Sequence, residues 1–404
     1  MSNERVAAQL PSDFDPREPE TFESAHEVMA DLRQRCPVAH SQVFDGFWAL
    51  TRHADVVEVL SDHRTYVTSV QNVVPKVAFT GRRPPLHLDP PEHTPYRQVI
   101  NRFFTRDKVA AMEPWVRRVT VDLLQPFVDA GGGDICADFA HRYPGHLFAD
   151  FFNVPEAMSV QIREITARYD MALQSADDEQ VKTTSLELYE IARAIIDARK
   201  AEPMDVEDDL TSALLAKRHH GEPLPEDLVL GTIRQMIVVG MIAPSIFIGS
   251  MAVHLCQHPD LQDQLRADLS LVPAAVEEYL RLLTPYRGFA RTAVTDVEIG
   301  GQRIPADEPI ALVYASANRD EAVFDDPHTF VLGRPNIDRH LAFGMGPHRC
   351  AGEGLARLML TTVLHELLAR TERIELDGDI RMTRWPEWGT LRVPLRVTGA
   401  EAVR

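Results

Sequence analysis

From Met236 to Val253 the chain reads MIVVGMIAPSIFIGSMAV, 18 residues without a charge. A run of that length has two physical solutions: it crosses a bilayer, or it forms a helix buried on all sides in a large protein. Pro244, two glycines and two serines interrupt the run, and no aromatic belt or basic flank frames it, so burial is the expectation. A helix of this kind needs a large apolar body around it. The 404 residues, 45% hydrophobic and 25% charged, supply one.

The rest of the chain reads mostly as helix, with apolar residues at helical spacing in 106–130, 156–175, 184–200 and 353–371. Strand patterns are short: 47–52, 297–304, 309–315 and 391–397. The pattern predicts a mainly α protein with small β-sheets. Length alone, at ~150 residues per domain, would suggest two or three domains. No repeat, linker or low-complexity tract beyond Gly131 to Gly133 marks a boundary, so residues 1–404 are expected to form one unit. The formal charge, 42 − 60 = −18, argues against nucleic acid, whose binders carry a basic face. The cysteines Cys36, Cys136, Cys256 and Cys350 are too scattered for a disulfide framework. The opening MSNERVAAQL lacks an apolar signal core, so the expected location is the cytoplasm, without membrane attachment.

Two local patterns carry chemistry. In PPLHLDPPEHTP (84–95), Asp89 is placed to cap a helix, with Pro90 in the first position and Glu92 three residues after the cap. His93 and Arg97 then share one face at i, i+4, a pair of donors suited to an anion. The second pattern is sharper: Phe343-Gly-Met-Gly-Pro-His-Arg-Cys350-Ala-Gly352, leading directly into a helical segment. A glycine-rich turn that delivers a cysteine to a helix N-terminus lets backbone approach a flat ligand and stabilises a thiolate. That geometry suits an iron ligand. A dinucleotide loop is excluded, because its third glycine would fall on Arg349. His254, Cys256 and His258 fan around a helix end and read as structural.

The chain resembles the cytochrome P-450 family of haem-thiolate proteins. Phe343 to Gly352 matches that family's F-G-x-G-x-H-x-C-x-G signature at every fixed position, and Glu278-Tyr-Leu-Arg281 matches its E-x-x-R. The resemblance, which runs from about Phe14 to the last strand, implies a single-domain triangular helical prism of soluble bacterial type, with no fused reductase. It implies haem b (iron protoporphyrin IX) as cofactor and Cys350 as the metal ligand. Phe343 would lie beside the haem, and His93, Arg97, Arg291 and His348 would meet its propionates. It also implies a buried ion network of Glu278, Arg281 and Arg334.

The long apolar helix departs from the family. The oxygen-binding helix usually carries A/G-G-x-D/E-T, whose acid and alcohol relay protons. Aligned on Gly240, Ile242 stands for the acid and Ala243 for the alcohol, and neither can donate a proton. Pro244 should open the helix in the same turn. The reading is a monooxygenase in which Gly240, Ile242 and Ala243 line the oxygen site, using O2 and electrons from a separate ferredoxin and ferredoxin reductase. Two alternatives stay open: a peroxygenase driven by hydrogen peroxide, and oxidative coupling without oxygen insertion. Substrate contacts are expected from 66–80, 165–180, 237–243, 285–290 and 384–390, largely apolar and aromatic, so a small hydrophobic or aromatic substrate is expected. Arg287, the odd member, either anchors a substrate carboxylate or turns away. Arg339, His340, Arg349 and Arg357 form a local basic cluster expected to steer an acidic ferredoxin.

Overall fold

The computed structural model describes residues 11–18, 21–76, 80–175 and 177–400. Helices follow in chain order as α1 (Ser24–Arg35), α2 (His53–Ser61), α3 (Thr94–Phe103), α4 (Arg106–Ala111), α5 (Glu113–Asp129), α6 (Tyr143–Phe151), α7 (Glu156–Ser175) and α8 (Asp178–Ala201). They continue as α9 (Leu210–Ala216), α10 (Glu226–Val238), α11 (Ile242–Gln257), α12 (Pro259–Ala267), α13 (Val272–Leu282), α14 (Tyr314–Ala317) and α15 (Glu353–Arg370). The starts of α8 and α9 follow from capping carboxylates: Asp177 accepts from Gln180 N at 3.0 Å and Asp209 from Ser212 N at 2.7 Å.

Small sheets are attached to this helical body. The largest orders its strands Val38–Ser41, Phe47–Leu50, Pro309–Leu312, Phe289–Ala293 and Tyr66–Val67. Ile310 pairs in parallel with Trp48 and antiparallel with Arg291, so this sheet fixes the position of Arg291. Strands Thr371–Leu376, Pro394–Gly399 and Gly132–Asp134 form a second sheet. All four predicted strand segments contain strands. Val38–Ser41, Phe289–Ala293 and Thr371–Leu376 are additional.

One continuous apolar core runs from Phe22 to Val397 and takes in α5, α11, α13 and α15. Within it, α11 is buried without interruption from Ser245 to Leu255, which is why its sequence shows no polar face. The stretch Glu226–Gln257 is long and apolar enough to cross a membrane, yet 72% of its most apolar window is buried inside the protein. The run is two helices, not one. The chain turns at Val239, Gly240 and Met241, where Met241 N bonds Val238 O at 3.1 Å. Pro244 supplies the reason: it has no N–H for the carbonyl four residues earlier, and its ring would collide with that carbonyl. Restarting at Ile242 puts Pro244 in the first turn of α11, where a missing N–H leaves no bond unmade.

The expected cap at Asp89 is not formed. Helix α3 begins at Thr94, and the Asp89 carboxylate instead accepts from Thr68 N at 2.9 Å and Ser69 N at 3.0 Å. Two backbone donors from a neighbouring loop outcompete the orphan N–H groups of its own helix. The 106–130 segment likewise breaks at Met112 into α4 and α5.

Candidate active site

Cys350 sits between a glycine-rich turn and α15. Gly344 and Gly346 adopt φ +66° and +72°, a region that L side chains rarely enter, and a Cβ on Gly346 would lie 2.6 Å from Leu60 O. The turn is closed by Cys350 N donating to Phe343 O at 2.9 Å. Phe343 packs under Arg357, whose guanidinium carbon is 4.6 Å from the ring centroid. The thiol is accessible although it lies deep among protein atoms. Burial pushes its pKa up, while the Gly352 N–H, Arg97 and Arg357 favour the thiolate. A metal cation would deprotonate it outright.

Two guanidiniums and two imidazoles gather beside it. Arg97 donates to Arg349 O and, at 2.7 Å, to Asn101 Oδ1. The His93 and His348 rings stand edge to face at 4.6 Å. Arg291 is buried and donates to Ala290 O at 2.8 Å. Burial, with His348 and Arg97 as cationic neighbours, holds His93 down to about 3. Burial also lowers His348, Arg97 and Arg291. The carboxylate in this group is Asp89. Burial raises its pKa, but His348 and the N–H groups of Thr68 and Ser69 outweigh burial and hold it well below the usual range. His93 Nε2 remains buried without a partner. Donors outnumber acceptors, which fits a ligand carrying two carboxylates beside a thiolate-bound metal; haem b is such a ligand.

Glu278, Arg281 and Arg334 come together in full burial. Arg281 clasps Glu278 through Nε–Oε2 at 2.9 Å and Nη2–Oε1 at 2.8 Å, and Arg334 Nε reaches Oε1 at 3.0 Å. Val331 N adds 2.9 Å to Oε1, and the remaining Arg281 donors reach the carbonyls of Asn318, Pro327 and Thr329.

Before α11, Gly240 lies under Phe148, where a Cβ would meet ring carbons at 1.9 Å. Ile242 and Ala243 are half-buried at the start of α11, and Val239 is 50% exposed. Sequence reasoning missed the acids here. Glu387 is paired across the chain with Tyr286 and hydrogen-bonds Gln174; burial, with Asp170 adding repulsion, pushes its pKa up to about 7. Asp170 on α7 is raised to about 6 by burial, and its Oδ1 has no partner. The Tyr286 phenol, raised chiefly by burial, also feels Glu387, Cys350 and Asp170, so these groups lie within electrostatic reach of one another. Both acids fall in segments expected around the substrate, but their polarity was averaged away by apolar neighbours. Within those segments, residues 77–79 and 176 lie outside the described residues.

Arg287 turns away from the cavity. Its Nε and Nη2 donate to Glu387 O at 3.0 and 2.5 Å, and its guanidinium lies 5.6 Å from the Trp385 ring centroid. The basic cluster near Cys350 is largely neutralised: Arg349 and Arg357 pair with Glu353, and Arg357 and His340 pair with Glu277. The i, i+4 spacing around Glu353 and the approach of α13 explain this, and the expected steering patch is reduced to Arg339 among the described residues. His254 meets Tyr279 OH at 3.2 Å, and His258 meets His254 O at 2.8 Å.

A largely helical body, a cysteine at the mouth of α15 and a carboxylate-seeking cation cluster define a haem-thiolate protein. The cytochrome P-450 family model matches residues 148–379. The chain is 32% identical to the nocardicin C N-oxygenase of Nocardia uniformis, over 92% of this chain and 94% of that protein. It is 31% identical to the erythromycin C-12 hydroxylase of Saccharopolyspora erythraea, over 91% and 93%. A solved cytochrome P-450 from Chondromyces apiculatus superposes with a TM-score of 0.82 at 30% identity, covering 94% of this chain and 97% of that one. The chain belongs to the cytochrome P-450 family. It is a monooxygenase of that family with haem b as its cofactor.

Proposed function

We propose that this P-450 inserts one oxygen atom into a small hydrophobic or aromatic substrate, by hydroxylation or by O- or N-dealkylation. It uses O2 and electrons from a separate ferredoxin and ferredoxin reductase, and it works as one cytoplasmic catalytic unit. The observation that carries the reading is the exposed Cys350 before α15, beside Arg97 and the unpartnered His93 Nε2. In it, Cys350 ligates iron, Phe343 packs on the thiolate side, and His93, Arg97, Arg291 and His348 receive the propionates. Bound haem supplies oxygen activation, which thiolate ligation favours. Glu278, Arg281 and Arg334 hold the segment before the cysteine turn in register.

Gly240, Ile242 and Ala243 border the oxygen site without offering a proton. Burial raises Glu387 to about 7 and Asp170 to about 6, and we assign proton supply to them. The lack of a donor at 242 and 243 also favours a second reading, use of hydrogen peroxide, which brings its own protons.

The carbon-monoxide spectrum of the reduced protein tests ligation: Cys350→Ala should move the Soret band, and an unmoved band removes the assignment. Turnover of a small-aromatics panel should require reductase, ferredoxin and O2. Turnover with hydrogen peroxide alone would instead establish the second reading.

A further inference from the structure

Two guanidiniums lie buried where α10 meets α7, α8 and the segment before α3, and neither has a carboxylate partner among the described residues. Arg234 on α10 is 0% exposed and Arg83, in the segment before α3, is 7% exposed. Among the described residues no carboxylate lies within salt-bridge distance of either. Arg234 donates Nη2 to Ser185 Oγ at 2.8 Å, both arginines also hydrogen-bond the Tyr169 hydroxyl, and the Arg234 guanidinium carbon stands 4.9 Å from the Tyr169 ring centroid and 5.9 Å from that of Tyr189. Nε and Nη1 of Arg234 and Nε of Arg83 are buried without partners. Burying charge in this way is strongly unfavourable unless something neutralises it. The field is felt nearby: burial raises Tyr169, but the two arginines outweigh it and hold the phenol below its ordinary value.

The cluster lies on the helix that leads to the break at Val239–Met241. Arg234, Val238 and Met241 follow at i, i+4 and i+7, so the guanidinium lies on the face of α10 that leads to the break. Five residues at 1.5 Å rise put it about 8 Å along the axis from Val239. On α7, Tyr169 turns to the arginines while the adjacent Asp170 belongs with Glu387 and Tyr286, the latter within electrostatic reach of Cys350.

We infer that Arg83 and Arg234 form an anion subsite that anchors the carboxylate of an otherwise apolar substrate, whose far end reaches the oxygen site. A planar carboxylate would satisfy the open guanidinium donors, and the Tyr169 and Tyr189 rings would wall its apolar stem. This rests on the haem-thiolate reading above and deepens it.

The test uses the haem-loaded protein, checked by its carbon-monoxide spectrum, with ω-phenylhexanoate, its methyl ester and ω-phenylhexyl phosphate as probes. Binding is read by calorimetry and by the Soret shift. The carboxylate should bind at least about tenfold more tightly than the ester, as charge-assisted hydrogen bonds imply. Arg83→Met and Arg234→Met should abolish that preference and raise the melting temperature of the ligand-free protein; a merely structural arginine would lower it. Equal binding of acid and ester overturns the inference, as does a preference that survives both substitutions. Tighter binding of the phosphate overturns the carboxylate assignment. If a variant does not fold, the wild-type ratio of acid to ester still decides. With the carbon-monoxide spectrum intact, any of these failures leaves the haem-thiolate reading standing.

Discussion

Two buried ionic clusters differ in one respect. Around Glu278 every donor is answered: two arginines share one carboxylate, and their spare N–H groups end on backbone carbonyls. Around Arg83 and Arg234 two positive charges have hydroxyls and aromatic faces but no acid among the described residues. Burial is equally complete in both, so burial does not separate them. The distinction is saturation. A saturated cluster is scaffold, because removing any member strands the others, whereas an unsaturated one gains most when a ligand arrives. The donors His93, Arg97, Arg291 and His348 belong to the second type, as do the acids Asp170 and Glu387.

The contrast can be broken by substitution. The largest effect is expected at Glu278→Gln, which keeps the shape but strands two buried guanidiniums; denaturant titration should show a loss of about 3–5 kcal/mol. A loss under ~1 kcal/mol would mean that saturation is not what holds this cluster. Glu387→Gln should act in the opposite direction. The folded pKa near 7 lies above the ordinary 4.5. Across that window the unfolded chain releases a proton that the folded chain keeps, so wild-type stability falls as pH rises and stays lower above 7. The variant escapes this and should be more stable by roughly 3 kcal/mol at pH 8, with the difference vanishing below pH 4.5. The same variant should lower the yield of oxygenated product per electron consumed, most clearly below pH 7, where the wild-type acid is protonated. Stability curves that run parallel at all pH values would remove Glu387 from the proton-bearing group. The smallest effect is expected at Arg357→Gln, in a half-exposed ion pair with Glu277 and Glu353. Its stability cost should stay within about 1 kcal/mol. A larger change would assign the proximal arginines a structural weight that their exposure does not suggest.

Several of these features are readable along the chain. The turn Phe343 to Gly352 announces itself because its glycines, cysteine and following helix are contiguous, and their geometry depends on local φ angles. The i, i+3 and i, i+4 relations of Glu278 with Arg281 and of His93 with Arg97 are set by the helical repeat. Other readings failed where a distant segment intervened. Asp89 looks like a cap until Thr68 and Ser69 claim its oxygens. Arg349 and Arg357 look like a docking patch until Glu277 arrives from α13 to join Glu353. The break before Pro244 lies between these cases: the proline is legible, but the turn it causes at Val239–Met241 is stabilised where Phe148 of α6 packs onto Gly240.

By itself, then, the sequence determines a helical protein with an apolar central helix, its cysteine turn, its Glu278–Arg281 pair and the absence of proton donors at 242 and 243. These follow from covalent spacing and backbone geometry, which act over a few residues. Only the tertiary structure decides which charges are left unanswered. Arg83 and Arg234 are separated by 151 positions, Asp170 and Glu387 by 217, and neither member of either pair is unusual in its own neighbourhood. Electrostatic compensation acts through space and depends on which polar groups folding brings within about 4 Å. That is why the chain's own pattern identifies the cofactor, while the unanswered charges emerge only when α7, α8, α10 and the segment before α3 are packed together.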